Sequence, residues 1–453
     1  MKQLLRKMIF VVVLLPLTIG TIGYIIAGEM FTNALYASFA LYFTNPISDS
    51  YNLYVEIARW SAPLVTATSI LCALQSVWKA IKCWFSLLWK KDKVAIYSDE
   101  DCEIAFEKSV GVIYPGEKLK GYANNHIIMF SSDKKSLQFY EQHKNELEGK
   151  KIYMGLRDIE GSLVNRIEKT TLFDVNNTIA RLLWKKIALW NNSKQSYDIV
   201  VWGDSVLAGN VVSVGLQLNL FSLNQNIRYH VVTDNQLFKS RHSELKLMNQ
   251  DELCFYEKSN SEIWSIVSNA DIVIVADEME PELMQTMVIK SGESPLYYYS
   301  PKEGDLASYI SYGNLIPFGR MDLVLTDENI RRKGLIQKAI ALNEHYANKY
   351  GSEKEWDLLP GFLQFSNISA SDFGEVLSVL DSEKSENELA ELEHVRWCRF
   401  YYLNYYTLGT PGDGKNRDDI KRIHKNLVPY EDLTSEEKLK NIEAIRVVKN
   451  LYQ

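Results

Sequence analysis

From Met8 to Ala58 the chain carries not one Lys or Arg. Met8 to Ala27 is almost continuously apolar, close to the roughly 20 residues a helix needs to cross a bilayer. Lys2, Arg6 and Lys7 precede it, and a second apolar stretch runs from about Ala58 to Trp78. Lys79, Lys82, Lys90, Lys91 and Lys93 follow that stretch, while Glu29, Asp49 and Glu56 lie between the two. Basic outer flanks around an acidic loop predict a two-helix transmembrane hairpin with both termini cytoplasmic. A cleaved signal peptide has a similar basic start, but the run is long and the loop after it is short. The expected setting is therefore multi-pass in a bacterial inner membrane.

The loop between the two stretches reads in two ways. Asn33 to Phe43 is apolar and as long as a short re-entrant helix, and Thr44, Asn45, Pro46, Ile47, Ser48 and Asp49 follow. A span, a short helix, a polar turn and a span is the order of two-span potassium channels, whose turn supplies a carbonyl filter. On that reading Thr44, Asn45, Pro46, Ser48 and Asp49 line a pore, although no TVGYG-type filter is present. On the other reading the hairpin is only an anchor.

The rest of the chain has ordinary composition. Of its 453 residues 46% are hydrophobic, which is low for a polytopic transporter. The net charge is -7 and the basic residues form no long patch, against nucleic acid as a partner. The five cysteines form no CxxC pair, so neither a zinc ribbon nor a disulfide framework is indicated.

From Lys93 onward, short β-rich runs alternate with helical stretches, the signature of doubly wound α/β units. A first unit over 93–195 has expected strands at Lys93–Tyr97, Gly111–Tyr114, His126–Ser131 and Lys151–Leu156. Acids in its first turn, at Asp99 and Glu100, would repel a phosphate. A second unit over 196–350 has expected strands at Asp198–Trp202, Tyr229–Thr233, Glu252–Tyr256, Asp271–Ala276, Leu296–Ser300 and Leu323–Leu325. A long amphipathic helix is expected from Asn329 to Tyr350, then a helical connector over 351–385.

The turn after Asp198–Trp202 is the candidate cofactor site. Dinucleotide folds place G-x-G-x-x-G there so that backbone N–H groups can approach a pyrophosphate. Here Gly203, Ser205 and Ala208 hold those positions, and Asp234 ends the next strand where a ribose hydroxyl would sit. A plain tight turn with no ligand fits the same residues. Gly203-Asp204-Ser205 also resembles the first block of GDS-type esterases, but the G-x-N-D and D-x-x-H blocks that complete such a site are missing. The chain therefore reads as no enzyme, with no certain cofactor beyond a nucleotide or nucleotide-derived ligand.

Two resemblances follow from these residues. Two spans followed by tandem α/β units are similar to the RCK (TrkA-N-like) gating units of potassium channels and uptake systems, over roughly residues 1–350. The block Leu389-Ala390, His394, Arg396-Trp397, Leu403, Gly409, Arg417-Asp418-Asp419, Lys421-Arg422, His424 and Leu427-Val428 resembles the ryanodine receptor repeat, the RyR domain. Leu433, Glu437 and Lys438 match its tail. Asn404-Tyr405 replaces its usual Gly-Trp, the loop Pro411 to Asn416 is longer, and Lys425 replaces a Pro.

The resemblances imply two Rossmann-like units after the hairpin (1–92) and an α-helical RyR domain over 386–453. They imply a homo-oligomer, a tetramer by analogy with channels, in which the RyR domain senses a small nucleotide-type signal and RCK-like units gate a pore. The alternative is a membrane-anchored scaffold that regulates a separate transporter. The resemblance also suggests a role in potassium and ion homeostasis or in anti-phage defence. Arg417, Lys421, Arg422, His394, Arg396 and His424 would converge on phosphate, with Trp397 and Tyr405 stacking and Asp418 beside them. Helix capping by Asp418 and core packing by His394 and Trp397 fit the same residues.

Overall fold

A computed structural model describes residues 2–49, 52–100, 104–164, 167, 170–302, 314–412 and 414–452. The chain divides into two compact units, Met1–Lys91 and Asp92–Gln453.

The N-terminal unit is helical: α1 (Lys2–Ile26), α2 (Phe31–Ala40) and α3 (Leu53–Leu88). Small residues let these helices touch. A Cβ on Gly23 would stand 2.8 Å from the Val55 nitrogen, and one on Gly20 would stand 2.9 Å from Ser38 Oγ. Tyr24, Ala34, Ala37, Leu41, Val55, Ala58 and Ala62 form the core between them. Asn52 secures the entry to α3, donating to Gly23 O at 2.7 Å and accepting from Val55 N at 3.0 Å.

Among the described residues no helix is long and apolar enough to cross a membrane. This overturns the expected transmembrane hairpin, and with it the multi-pass inner-membrane location and the ion-channel reading. In α3 the apolar run is diluted by Glu56, Arg59, Ser61, Thr66, Thr68 and Ser69. The expected pore residues lose their role for the same reason. Thr44, Asn45, Pro46 and Asp49 are exposed, and Ser48 accepts from Arg59 at 3.0 Å through its carbonyl.

The outer face of α3 carries a regular stripe. Leu53, Ile57, Trp60, Leu64, Ala67, Leu71, Leu74, Trp78 and Ile81 follow one another at alternating steps of four and three, and all are exposed. That is the 3.5-residue period of a helix seam that packs on another helix.

In the C-terminal unit, β1 (Lys93–Tyr97), β2 (Gly111–Ile113), β3 (Asn125–Ile128), α4 (Asp133–His143), β4 (Lys151–Leu156), β5 (Thr170–Asp174) and α5 (Val175–Ile187) come first. Their strands form one parallel sheet in the order β2-β1-β3-β4-β5. Next come β6 (Ser196–Trp202), α6 (Val206–Leu218), β7 (Asn226–Val232), α7 (Leu237–Arg241), β8 (Glu252–Tyr256), α8 (Ile263–Asn269), β9 (Ile272–Val275), α9 (Pro281–Ser291), β10 (Leu296–Tyr299) and β11 (Leu315–Phe318). The second sheet is also parallel, in the order β11-β10-β9-β6-β7-β8. Both orders are those of doubly wound nucleotide folds, with a crevice where the order reverses.

The chain closes with α10 (Met321–Val324), α11 (Asp327–Ile330), α12 (Gln337–Tyr350), α13 (Gly361–Leu380), α14 (Glu386–Leu403), short strands β12 (Thr407–Leu408), β13 (Arg417–Asp418) and β14 (Ile423–His424), and α15 (Ser435–Asn450). Two expectations fail here. Leu323–Leu325 is not a strand, since Leu323 and Val324 belong to α10 and the sheet edge is β11, with Pro317 on it. The helix expected from Asn329 to Tyr350 is broken at Lys333, whose φ is 57°.

One core joins the two sheets to the closing helices. Trp184 of α5 lies against Gly215 of α6, where a Cβ would stand 2.7 Å from the ring, and its indole donates to Val211 O at 2.7 Å. Arg399 of α14 is fully buried and paired at 2.8 Å with Asp251, itself fully buried. Removing one partner of such a pair leaves an uncompensated charge, at a cost on the order of 3–5 kcal/mol. Arg399→Leu is therefore expected to lower the melting temperature of the full chain sharply. Adding Asp251→Leu should recover part of the loss. Equal melting of Arg399→Leu and the parent would show that the pair does not hold α14.

Candidate binding site at the C-terminal helices

A cavity of about 340 Å³ opens among α12, α13, α14, α15 and the segment around β14. The capping box of Ser385 and Glu388 starts α14, and Leu389, Leu392, Val395 and Phe400 are buried along it. This seats His394, Arg396 and Trp397 at the cavity, and the short pairing of β14 with β13 brings His424 to it.

The two histidines have fixed and opposite hydrogen-bonding characters. His394 Nε2 lies 2.8 Å from Val428 O, which can only accept, so Nε2 carries the proton and Nδ1 is left as an acceptor. His424 Nδ1 accepts from Asn426 N at 3.0 Å, so its proton sits on Nε2, a donor. Burial depresses both pKa values, His424 to about 4 with the charges of Arg417 and Lys425 adding to the effect. Trp397 stacks on His394 at 5.6 Å and meets His424 edge-on at 4.8 Å. Tyr346 and Tyr350, stacked on each other at 6.1 Å, also line the cavity.

Arg396 is buried and gripped by Glu393 through two 2.7 Å bonds. Its third bond, at 2.8 Å, goes to Ser369 Oγ, which donates in turn to Gln217 at 2.6 Å. Burial pushes the Cys398 thiol far up, so it is no nucleophile at neutral pH.

The other residues expected at this site do not line the cavity, although Arg417 stands opposite His424 in the β13–β14 pair. Arg417 pairs with Asp419 at 2.6 Å and donates to the Tyr401 hydroxyl at 3.1 Å. Arg422 covers the Tyr406 ring at 5.1 Å, and Asp418 accepts from Ile420 N and Lys421 N in a local turn. Lys421 is exposed. Tyr405 stacks on His242 at 5.2 Å, away from Trp397. The cluster expected to converge on phosphate is therefore not gathered at one cavity. Asp418 caps no helix, since Thr434 caps α15. Tyr346 and Tyr350 were missed because they stand on α12, where only long-range packing brings them in.

The Gly203 turn sits at the switch point of the second sheet, between β6 and β9. Gly203 is tight against Asp277 and Ala208, where a Cβ would come within 2.8 Å and 3.0 Å. The Asp277 carboxylate accepts from Asp204 N at 2.6 Å and Ser205 N at 3.2 Å. A protein carboxylate thus takes the N–H groups that a pyrophosphate would need. Ser205 caps α6, accepting from Ala208 N at 3.3 Å, and Asp234 accepts from Lys258 N at 2.9 Å. These contacts describe a structural turn. Among the described residues no group of three or more His, Cys, Asp or Glu could hold a metal ion.

The histidine tautomers make a pH prediction. An unfolded His titrates near 6.5, so a folded pKa near 4 means that the unfolded state takes up the proton first. This stability is full above pH 6.5 and is lost as pH falls toward 4. His126 and His242 shift the same way, whereas Asp174, raised to about 6 by burial, opposes them. Melting temperature should fall from pH 6.5 to 4.5. His424→Asn, which retains an acceptor for Asn426 N, should flatten that fall, and an unchanged slope would show that His424 is not held neutral.

No protein-family model matches the chain, and no curated protein matches it.

Proposed function

We propose that the chain is a ligand sensor rather than an enzyme, taking the aromatic group of a small nucleotide-type molecule at Trp397. The observation that carries this reading is that His394, whose Nδ1 is left as an acceptor, and His424, whose Nε2 is a donor, both pack against Trp397 at the cavity. A nucleobase offers a flat face to stack and an edge bearing both a donor and an acceptor. The resemblance of Leu389–Asn441 to the RyR repeat points to the same region.

The sensor acts as a homo-oligomer. The α3 stripe supports this, because a seam repeating every 3.5 residues is complementary to a second copy of itself. Ile57, Leu64, Leu71 and Trp78 occupy one set of positions, and Leu53, Trp60, Ala67, Leu74 and Ile81 the other.

Calorimetric titration of the full chain with AMP, ADP and cyclic mononucleotides tests the first part. Binding by the parent and a loss of at least about tenfold in Trp397→Ala is expected. No binding of any nucleotide would overturn it. Light scattering tests the second part. Leu64→Glu combined with Leu71→Glu should convert an oligomer to a monomer, and a parent that is already monomeric would refute self-association.

A further inference from the structure

The two parallel sheets have four edges between them, β2, β5, β11 and β8, and three are guarded. β2 is only three residues long, β11 carries Pro317, and β5 has Asp357 against it, accepting from Thr171 at 3.2 Å. Short strands, Pro and covering segments are the usual means by which a sheet keeps a further strand from joining. β8 has none of them. It is five residues long without Pro, and every one of its residues is at least partly exposed, whereas Tyr229 to Val232 on its neighbour β7 are buried.

The strand is also complementary to itself. Tyr256 O accepts from Thr233 N at 2.8 Å, so Tyr256, and by alternation Cys254 and Glu252, turn their backbone groups toward β7. Leu253 and Phe255 turn theirs outward, where among the described residues no hydrogen bond reaches them. A second copy laid antiparallel, with a two-fold axis at Cys254, keeps the whole strand in register. Leu253 then opposes Phe255 of the second copy as a pair exchanging both N–H···O bonds, and the axis repeats that pair. Glu252 opposes Tyr256 of the second copy rather than another Glu252, so within the paired strands no like charges meet.

We infer that β8 pairs antiparallel with β8 of a second copy of this chain, joining the six-stranded sheets of both into one. This surface is distinct from the α3 seam. Strands this short bury too little to hold a dimer alone. The contact persists because the seam raises the local concentration of copies, so its persistence, though not its formation, rests on that reading. Cys254 reports the pairing. At the axis its Cα stands about 4.5 Å from that of Cys254 of the second copy, within the range a disulfide spans.

The test is oxidative trapping of full-length Leu64→Glu/Leu71→Glu protein, in which the seam is removed. Cys72→Ser, Cys83→Ser and Cys102→Ser leave Cys254 and the buried Cys398 as its thiols. Diamide should trap a disulfide-linked dimer, absent in Cys254→Ser. Moving the thiol, as Cys254→Ser/Glu252→Cys, should slow trapping at least about tenfold, because position 252 of each copy lies too far from its counterpart to be bridged. Leu253→Pro removes an outward N–H, leaves the bonds to β7 intact and should also slow trapping at least about tenfold. Equal trapping from both thiol positions, or trapping unchanged by Leu253→Pro, would overturn the inference. No trapping at Cys254 would overturn it as well and leave the edge to a strand of another protein. A parent that is oligomeric by light scattering while Cys254 fails to trap would leave the α3 seam standing and refute only this contact.

Discussion

The seating of the C-terminal helices depends on one buried guanidinium. Arg399 has no exposed side-chain surface, and four bonds of 2.6–2.8 Å tie it to Leu247 O, Leu216 O, Asn249 Oδ1 and Asp251 Oδ2. Asp251 is shared further, accepting from Ile227 N at 2.8 Å and Gln225 Nε2 at 2.9 Å. A charge taken out of water is tolerated only when its hydrogen bonds are complete. This network is met in one placement of α14 against α6 and β7, so α14 cannot slide without breaking several charged bonds together. The cavity at Trp397 is bounded by α14 and inherits that placement.

A second pair repeats the logic one layer away. Arg181 of α5 and Asp372 of α13 are both buried and bonded. Attraction from Arg181 and Lys185 holds the Asp372 carboxyl below the usual carboxylate range although burial opposes this. With Arg399 on α14 and Arg181 on α5, two ion pairs fix two closing helices to two different elements of the α/β core. The chain Arg396–Ser369–Gln217 then runs between them, joining α14 through α13 to α6. A ligand that shifts α13 or α14 would have to disturb these bonds.

Much of the α/β core was legible in the sequence. The run Asp198–Trp202 lies inside β6, and Glu252–Tyr256 matches β8, because β-branched and aromatic runs bounded by turns have few other uses. The hairpin expectation counted roughly 20 apolar residues per span, yet among the described residues no helix is both long and apolar enough to cross a membrane, and Arg59, Ser61, Thr66, Thr68 and Ser69 interrupt the apolar run of α3. The 3.5-residue period of α3 was equally present in the sequence and went unread. Leu323–Leu325 failed because a three-residue apolar run fits a helix turn as well as a strand. Lys333 failed because nothing in its sequence neighbourhood announces a left-handed backbone.

The site shows where local reading stops. His394, Arg396, Trp397 and His424 were identified and do meet, but Arg417, Lys421 and Arg422 do not line the cavity with them, although Arg417 stands opposite His424 in the β13–β14 pair. Cations choose partners by distance in space. Arg417 finds Asp419 and Tyr401, Arg422 finds Tyr406, and Arg396 turns inward to Glu393. The sequence by itself determined the alternation of strands and helices and the seam on α3, since both are periodicities of neighbouring residues. Only the tertiary structure decided the sheet orders, the capture of the Ser205 turn by Asp277, and the pairing of Arg399 with Asp251. Those contacts join residues far apart in the chain, and which of several chemically equivalent partners wins is set by packing.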